Sequence, residues 1–173
     1  VILIAGMRHS GSTALFNIVR TALEHGGVPF RSCYADYKEE LQEVLTFDGT
    51  KVIKIHEYRD DIGRSADLVL TTRRDLRNTV ASAVRRDFPI MKKQGGPVAY
   101  AKYNRTLYDV WSPRSSYEFL YERFMKQPET LIDEVVGLLP VNGIDTKTVY
   151  ETVVTLPTDQ YKKTLLSPSH VTD

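Results

Sequence analysis

The sequence predicts an α/β domain of three layers, with a central, mostly parallel sheet and helices on both of its faces. Three observations predict it. Residues 1–5, Val-Ile-Leu-Ile-Ala, lack the alternation of a half-exposed strand, as expected for a strand buried on both faces. Further apolar runs at 51–57 and 66–72 are separated by segments whose apolar residues recur at helical spacing. At 173 residues and 42% hydrophobic content, the chain suffices for one sizeable core and reads as a single domain over 1–173.

The first strand runs into Gly6-Met7-Arg8-His9-Ser10-Gly11-Ser12-Thr13, where two glycines five positions apart bracket a polar loop. From Gly11 onward Leu15, Ile18, Val19 and Ala22 mark an amphipathic helix. Such a unit cradles an anion, because loop amides and the unpaired amides of the helix start converge on one point. The spacing is that of a P-loop, G-x-x-x-x-G-K-[ST], but Ser12 stands at the lysine position, followed by Thr13. A nucleoside triphosphatase needs that lysine on its β- and γ-phosphates. Hydroxyls there, preceded by Arg8 and His9, suit a single phosphate or a sulfated phosphate.

His25-Gly26-Gly27 stops the helix, and residues 28–30 start a second, short strand. Residues 36–45 form a helix carrying Leu41, Val44 and Leu45, and Asp48-Gly49 turns the chain. The strand at 51–57 delivers His56 and Glu57 at its carboxyl end, where an open parallel sheet holds its ligands, beside the glycine loop. The strand at 66–72 runs into Arg73-Arg74-Asp75-Leu76-Arg77, in which Asp75 caps a helix with Leu76, Val80 and Val84 on its core face. Asn78, Ser82 and Arg85 share a polar face of that helix. Arg73, Arg74, Arg77, Arg85 and Arg86 fall within 14 residues and point to a second anion site. Beyond the break at Gln94-Gly95-Gly96-Pro97 come a tyrosine-bearing helix (98–110), a last strand (117–121), and helices at 128–139 and 146–156. Residues 162–170 are irregular and either cover the site or fray.

A net charge of +1 excludes a general nucleic-acid or membrane-surface role, so any basic function is local. The single cysteine, Cys33, excludes an intrachain disulfide and a Cys-based zinc site, and fits a reducing, cytoplasmic setting. No apolar run approaches the roughly 20 residues of a membrane span, and no secretory leader is visible.

Taken together, these pieces resemble the sulfotransferases that use 3′-phosphoadenosine 5′-phosphosulfate (PAPS), a family with a P-loop-like fold. Its cofactor loop takes forms close to G-x-x-[RK]-S-G-[ST]-[ST], matched by Gly6, Ser10, Gly11, Ser12 and Thr13, and the resemblance implies that this loop holds the 5′-phosphosulfate. An Arg at a strand end with a Ser eight residues on grips the 3′-phosphate in the family, and Arg74 and Ser82 match that spacing. Lys54-Ile55-His56 is similar to the family's Lys-x-His, whose His is the base; other members use a nearby Glu, which keeps Glu57 a candidate. The segment from Tyr121 to Pro128 resembles Tyr-Glu-x-Leu-x-x-x-Pro, whose Tyr lies near the adenine, and a tail pattern around Leu165 and His170 is also familiar. The chain departs from the family at the Lys or Arg that directly precedes Ser-Gly. His9 stands there, with Arg8 one residue earlier, so either could be the transition-state cation.

The resemblance implies an enzyme that moves a sulfuryl group from PAPS to a hydroxyl or amine by in-line displacement, with a general base and without a metal. The acceptor would be a small molecule or a carbohydrate, bound by residues 88–108 and 165–173; no nucleic acid is implied. The rival readings are a P-loop kinase or nucleotide hydrolase and a non-catalytic nucleotide-binding module. Against the first stand the missing loop lysine and Leu70-Thr71-Thr72, where a magnesium-holding Asp would be expected.

Overall fold

Five parallel strands build the sheet in the computed structural model, which describes residues 1–35 and 38–155. The strands are β1 (Ile2–Gly6), β2 (Phe30–Tyr34), β3 (Thr50–Lys54), β4 (Leu68–Arg73) and β5 (Tyr117–Leu120), in the order β2-β3-β1-β4-β5. Helices α1 (Ser12–His25), α2 (Lys38–Thr46), α3 (Asp60–Ser65), α4 (Leu76–Arg85), α5 (Pro89–Lys93), α6 (Pro97–Trp111), α7 (Tyr121–Phe124), α8 (Pro128–Val136) and α9 (Thr146–Thr155) join and follow them. This is a three-layer, P-loop-like α/β fold. Asp36 and Leu156, expected at helix ends, and the segment with Leu165 and His170 lie outside the described residues.

Both faces of β1 are covered, which is why its five residues are all buried and its sequence does not alternate. Ile2 and Ile4 pack with Leu15, Val19 and Leu23 of α1 and with residues of α8 and α9. Leu3 and Ala5 point the other way, to Leu41 and Val44 of α2, Ile62 of α3 and Trp111 of α6. From β1 the chain fills one side with β2 and β3, then crosses to the other with β4 and β5. The strand order therefore reverses at β1, and the crevice at its carboxyl end is the place where such sheets bind ligands.

The second strand, expected to start within residues 28–30, runs from Phe30 to Tyr34. As the sheet's edge strand it buries only Cys33, and so carries no apolar run to announce itself. β3 ends at Lys54 rather than at residue 57. The Ile55 amide still reaches the Ile4 carbonyl, but the His56 carbonyl accepts from the Trp111 indole at 2.9 Å, which draws the chain out of the ladder. Of the expected core face of α4 only Val80 packs against a core cluster: the buried residues are Thr79, Ser82 and Ala83, and Val84 is 51% exposed. Small side chains let α4 lie close to α6, with Ala83 against Tyr100 and Met91, so contact distance outweighed apolar spacing. α3 and α5, of six and five residues, are too short to leave a periodic signal.

Gly6 sits opposite Thr72, where β1 pairs with β4. Its φ is +111°, and a Cβ there would lie 2.6 Å from the Thr72 carbonyl oxygen and 2.9 Å from its nitrogen. Both are backbone atoms of the paired strand, so nothing flexible can yield. Gly6→Ala is expected to cost about 2–5 kcal/mol in urea or thermal unfolding, from dihedral strain plus overpacking. A loss below about 1 kcal/mol would show that β1 and β4 separate there at little cost.

Candidate active site

The loop after β1 is held from several sides. Ser10 Oγ donates to the Met7 carbonyl and lies 2.6 Å from Thr72 Oγ1, so its side chain is turned inward and wholly buried. The Arg8 amide donates to Asn104 Oδ1 at 2.7 Å, and Asn104 is itself anchored to the Tyr100 carbonyl. Gly11, with φ +89°, is required because a Cβ would come within 2.7 Å of the Tyr121 ring. α1 then starts at Ser12 without a side-chain cap, so its first-turn amides are directed at whatever lies in front of the loop.

In front of it lies a cavity of about 360 Å³. Arg8, His9, Gly11, Ser12 and Thr13 line it from the loop, Lys54 and His56 from β3 and just beyond, and Arg74, Ser82, Arg86 and Tyr121 from the β4 side. Sequence reasoning placed nine of its expected residues here: Arg8, His9, Gly11, Ser12, Thr13, His56, Arg74, Ser82 and Tyr121. Gly6, Ser10 and Glu57 do not line it. Among the described residues four permanent cations line the cavity, and no carboxylate does.

At one end, Lys54 Nζ donates to Thr13 Oγ1 at 2.6 Å and stands 5.2 Å from the Tyr34 ring centre. This lysine is buried and comes from the adjacent strand, so the loop that lacks the P-loop lysine has a cation beside Thr13 after all. Sequence reasoning used Lys54 only as part of a motif; its register opposite Ile4 carries it to the loop. Tyr34, also unforeseen, follows from the corrected position of β2.

His56 is buried, and its Nδ1 lies 3.0 Å from the Gly6 carbonyl oxygen. A carbonyl only accepts, so Nδ1 carries the proton and Nε2 is left as the basic atom. Burial, followed by the charges of Arg8 and Lys54, holds the imidazole well below its ordinary pKa of 6.5, so it is neutral at pH 7. Glu57 stands outside, its side chain half exposed, taking hydrogen bonds from Arg8 Nη2 at 3.3 Å and from the Tyr103 hydroxyl. Arg8 also donates to the hydroxyls of Tyr103 (3.1 Å) and Tyr34 (3.0 Å).

At the other end, the Arg74 guanidinium lies 4.1 Å from the Tyr121 ring centre and donates to the His9 carbonyl at 3.3 Å. Among the described residues its Nε is buried without a hydrogen-bond acceptor. The Tyr121-Glu122 pair supports this end twice, since Glu122 accepts from the Asp75 amide at 2.9 Å where α4 begins. The five clustered arginines do not act together. Arg74 and Arg86 face the cavity, Arg73 pairs with Glu118, Arg77 pairs with Asp75, and Arg85 is exposed.

His9 was a candidate cation. Its imidazole is instead lowered to about 4, first by burial and then by Arg86, Arg8, Arg74 and Lys54, so it is neutral here at pH 7. Among the described residues no three His, Cys, Asp or Glu side chains converge as a metal site would require, and no helix is long and apolar enough to cross a membrane.

A parallel sheet of this order, with a glycine loop and helix start at its switch point, defines the P-loop-like α/β class. Among solved structures, the chain is similar to retinol dehydratase in complex with androsterone and the inactive cofactor PAP, at TM-score 0.59 and 15% identity. It is likewise similar to retinol dehydratase in a complex with retinol and PAP, at TM-score 0.58 and 14% identity. Each comparison covers 93% of this chain and 65% of the other, so the chain spans just under two thirds of those proteins' length. No family model matches the sequence, and no curated protein does.

Proposed function

We propose that the chain is a sulfotransferase domain, moving a sulfuryl group from PAPS to a hydroxyl or amine. One observation carries the reading: a cavity lined, among the described residues, by cations and no carboxylate, with Lys54 and Thr13 at the helix start and Arg74 with Ser82 at the other end. Such a cavity suits one ligand with two anionic groups, as a nucleoside 3′,5′-bisphosphate has. The buried, unsatisfied Arg74 Nε fits an anion that completes its fork. The neighbours' PAP complexes, on the same fold, agree with this choice of nucleotide.

Each end then has a task. Loop and helix amides, Ser12, Thr13 and Lys54 meet the 5′ group; Arg74 and Ser82 hold the 3′-phosphate, with Tyr121 against the adenine. PAPS supplies the transferable group and a 5′-phosphate that leaves. His56 Nε2 takes the acceptor's proton as the new bond to sulfur forms, and the electron pair of the broken S–O bond goes to the leaving phosphate, where Lys54 and the loop amides face it. Arg8, tied to Tyr34, Tyr103 and Glu57, then belongs to the acceptor side, whose polar wall suits a small hydroxylated molecule or a carbohydrate. A kinase or hydrolase reading needs a carboxylate for magnesium at the end of β4. Thr71 and Thr72 stand there, bonded to Ser115 and to Ser10.

The test is calorimetry. Wild type should bind adenosine 3′,5′-bisphosphate far more tightly than AMP, and Arg74→Ala should remove about 1.5–3 kcal/mol of that affinity, the loss of a charge-assisted contact. Equal affinity of the wild type for both nucleotides would sink the reading. Sulfate transfer from labelled PAPS to a panel of hydroxyl acceptors then establishes turnover.

A further inference from the structure

His9 stands in the loop position where the resembling family carries a Lys or Arg, but its side chain does not lie at the loop's own anion end. It lies at the opposite one. Nδ1 is 3.4 Å from Ser82 Oγ, the ring meets Phe88 edge-on with centres 4.5 Å apart, and the backbone carbonyl accepts from Arg74. A left-handed φ of 56° turns residue 9 that way, a conformation His tolerates better than most non-glycine residues. We infer that His9 is a ligand of the donor's 3′-phosphate, sharing it with Arg74 and Ser82, and that it takes up a proton as that phosphate binds. This rests on the nucleotide reading above.

The charges around the ring fix the direction of the effect. Arg8 of its own loop, Lys54 and His56 from the β3 side, Arg74 after β4 and Arg86 at the end of α4 face it, with the Tyr100 ring of α6 6.3 Å away; among the described residues no carboxylate lines the cavity beside it. Without an anion the imidazole is therefore neutral, at about 4. One negative charge roughly 4 Å away in a partly screened site favours the protonated form by a factor of about 10³, and a phosphate dianion by more. Between pH 4 and neutrality or above, then, binding adds a proton. A neutral ring can offer a single N–H, whereas the protonated ring donates from both nitrogens, one to the phosphate and one toward Ser82. A permanent cation would bind the same phosphate at any pH; His9 makes nucleotide affinity fall as pH rises.

The experiment is titration calorimetry of adenosine 3′,5′-bisphosphate at pH 7.5, in buffers of different ionisation enthalpy, on wild type, His9→Asn and His9→Lys. Asn tolerates the left-handed backbone, and proton release from the phosphate itself, whose second pKa is near 6, is common to all three proteins. Wild type should take up at least about half a proton more than either variant, and its affinity should fall between about threefold and tenfold more from pH 7.5 to 8.5. With AMP, which lacks the 3′ group, the excess should vanish. Tight binding with no excess uptake, or the same excess with AMP, overturns the role of His9 and leaves the nucleotide reading standing. Failure of the wild type to bind the bisphosphate overturns both.

Discussion

His56→Ala is expected to lower turnover by about 10²- to 10⁴-fold while leaving affinity for adenosine 3′,5′-bisphosphate nearly unchanged, because a general base acts on the acceptor and not on the nucleotide. The geometry favours His56 over its neighbour Glu57. The imidazole lines the cavity with Nδ1–H committed to the Gly6 carbonyl, whereas the Glu57 carboxylate lies outside and is engaged by Arg8 and Tyr103. Because His56 is buried, alanine leaves a hole; His56→Asn is the control, since its amide can still donate to Gly6 but cannot accept a proton at neutral pH. Both variants should lose turnover, and Asn should melt closer to the wild type. The pH dependence has a definite sign. A base held below its ordinary pKa stays competent as pH falls, so kcat/KM for PAPS, which reports the nucleotide-free enzyme, should hold down to pH 6.5 and decline only below it. If Glu57→Ala abolishes turnover while His56→Ala keeps it, the base is Glu57 and the proton path runs through the Arg8 side.

Lys54→Met should reduce kcat by about 10²- to 10³-fold, the usual loss on removing one preorganised donor from developing charge, with a smaller change in nucleotide affinity. Methionine keeps much of the apolar stem in the buried slot beside Tyr34 and removes only the charge and its bond to Thr13. Single-turnover rates at saturating donor separate this from weakened binding. The motif had offered Arg8 or His9 as the transition-state cation. Arg8 is turned toward Tyr34, Tyr103 and Glu57, and His9 toward Ser82, which leaves Lys54 nearest the helix start. Should Lys54→Met retain turnover and Arg8→Ala lose it, the cation is Arg8.

Short-range patterns carried much of this protein. Glycine spacing and an apolar run mark the β1-loop-α1 unit, since a tight turn and a strand buried on both faces each demand particular residues at adjacent positions. The same holds for the Asp75 cap and for Arg74, which lies just before α4, and Ser82, about two turns into it. On α4 the apolar spacing misled: Val84 is exposed and Ser82 buried, because α4 is seated by the small residues that let it approach α6.

The shared crevice of His56 and the glycine loop was legible, but the exact register between neighbouring strands was not. Lys54 reaches Thr13 across 41 residues because β3 pairs with β1 in register, and the tautomer of His56 is set by a carbonyl 50 residues away. The directions of Arg8 and His9, adjacent in sequence, are opposed: one guanidinium is drawn by two tyrosines and a carboxylate, and one imidazole is turned by a left-handed φ toward α4. Residue type and spacing decide what a segment can form and what chemistry it can bring. The packing of strands and helices decides which of those groups share one cavity, and burial there, among like charges, sets which of them is charged.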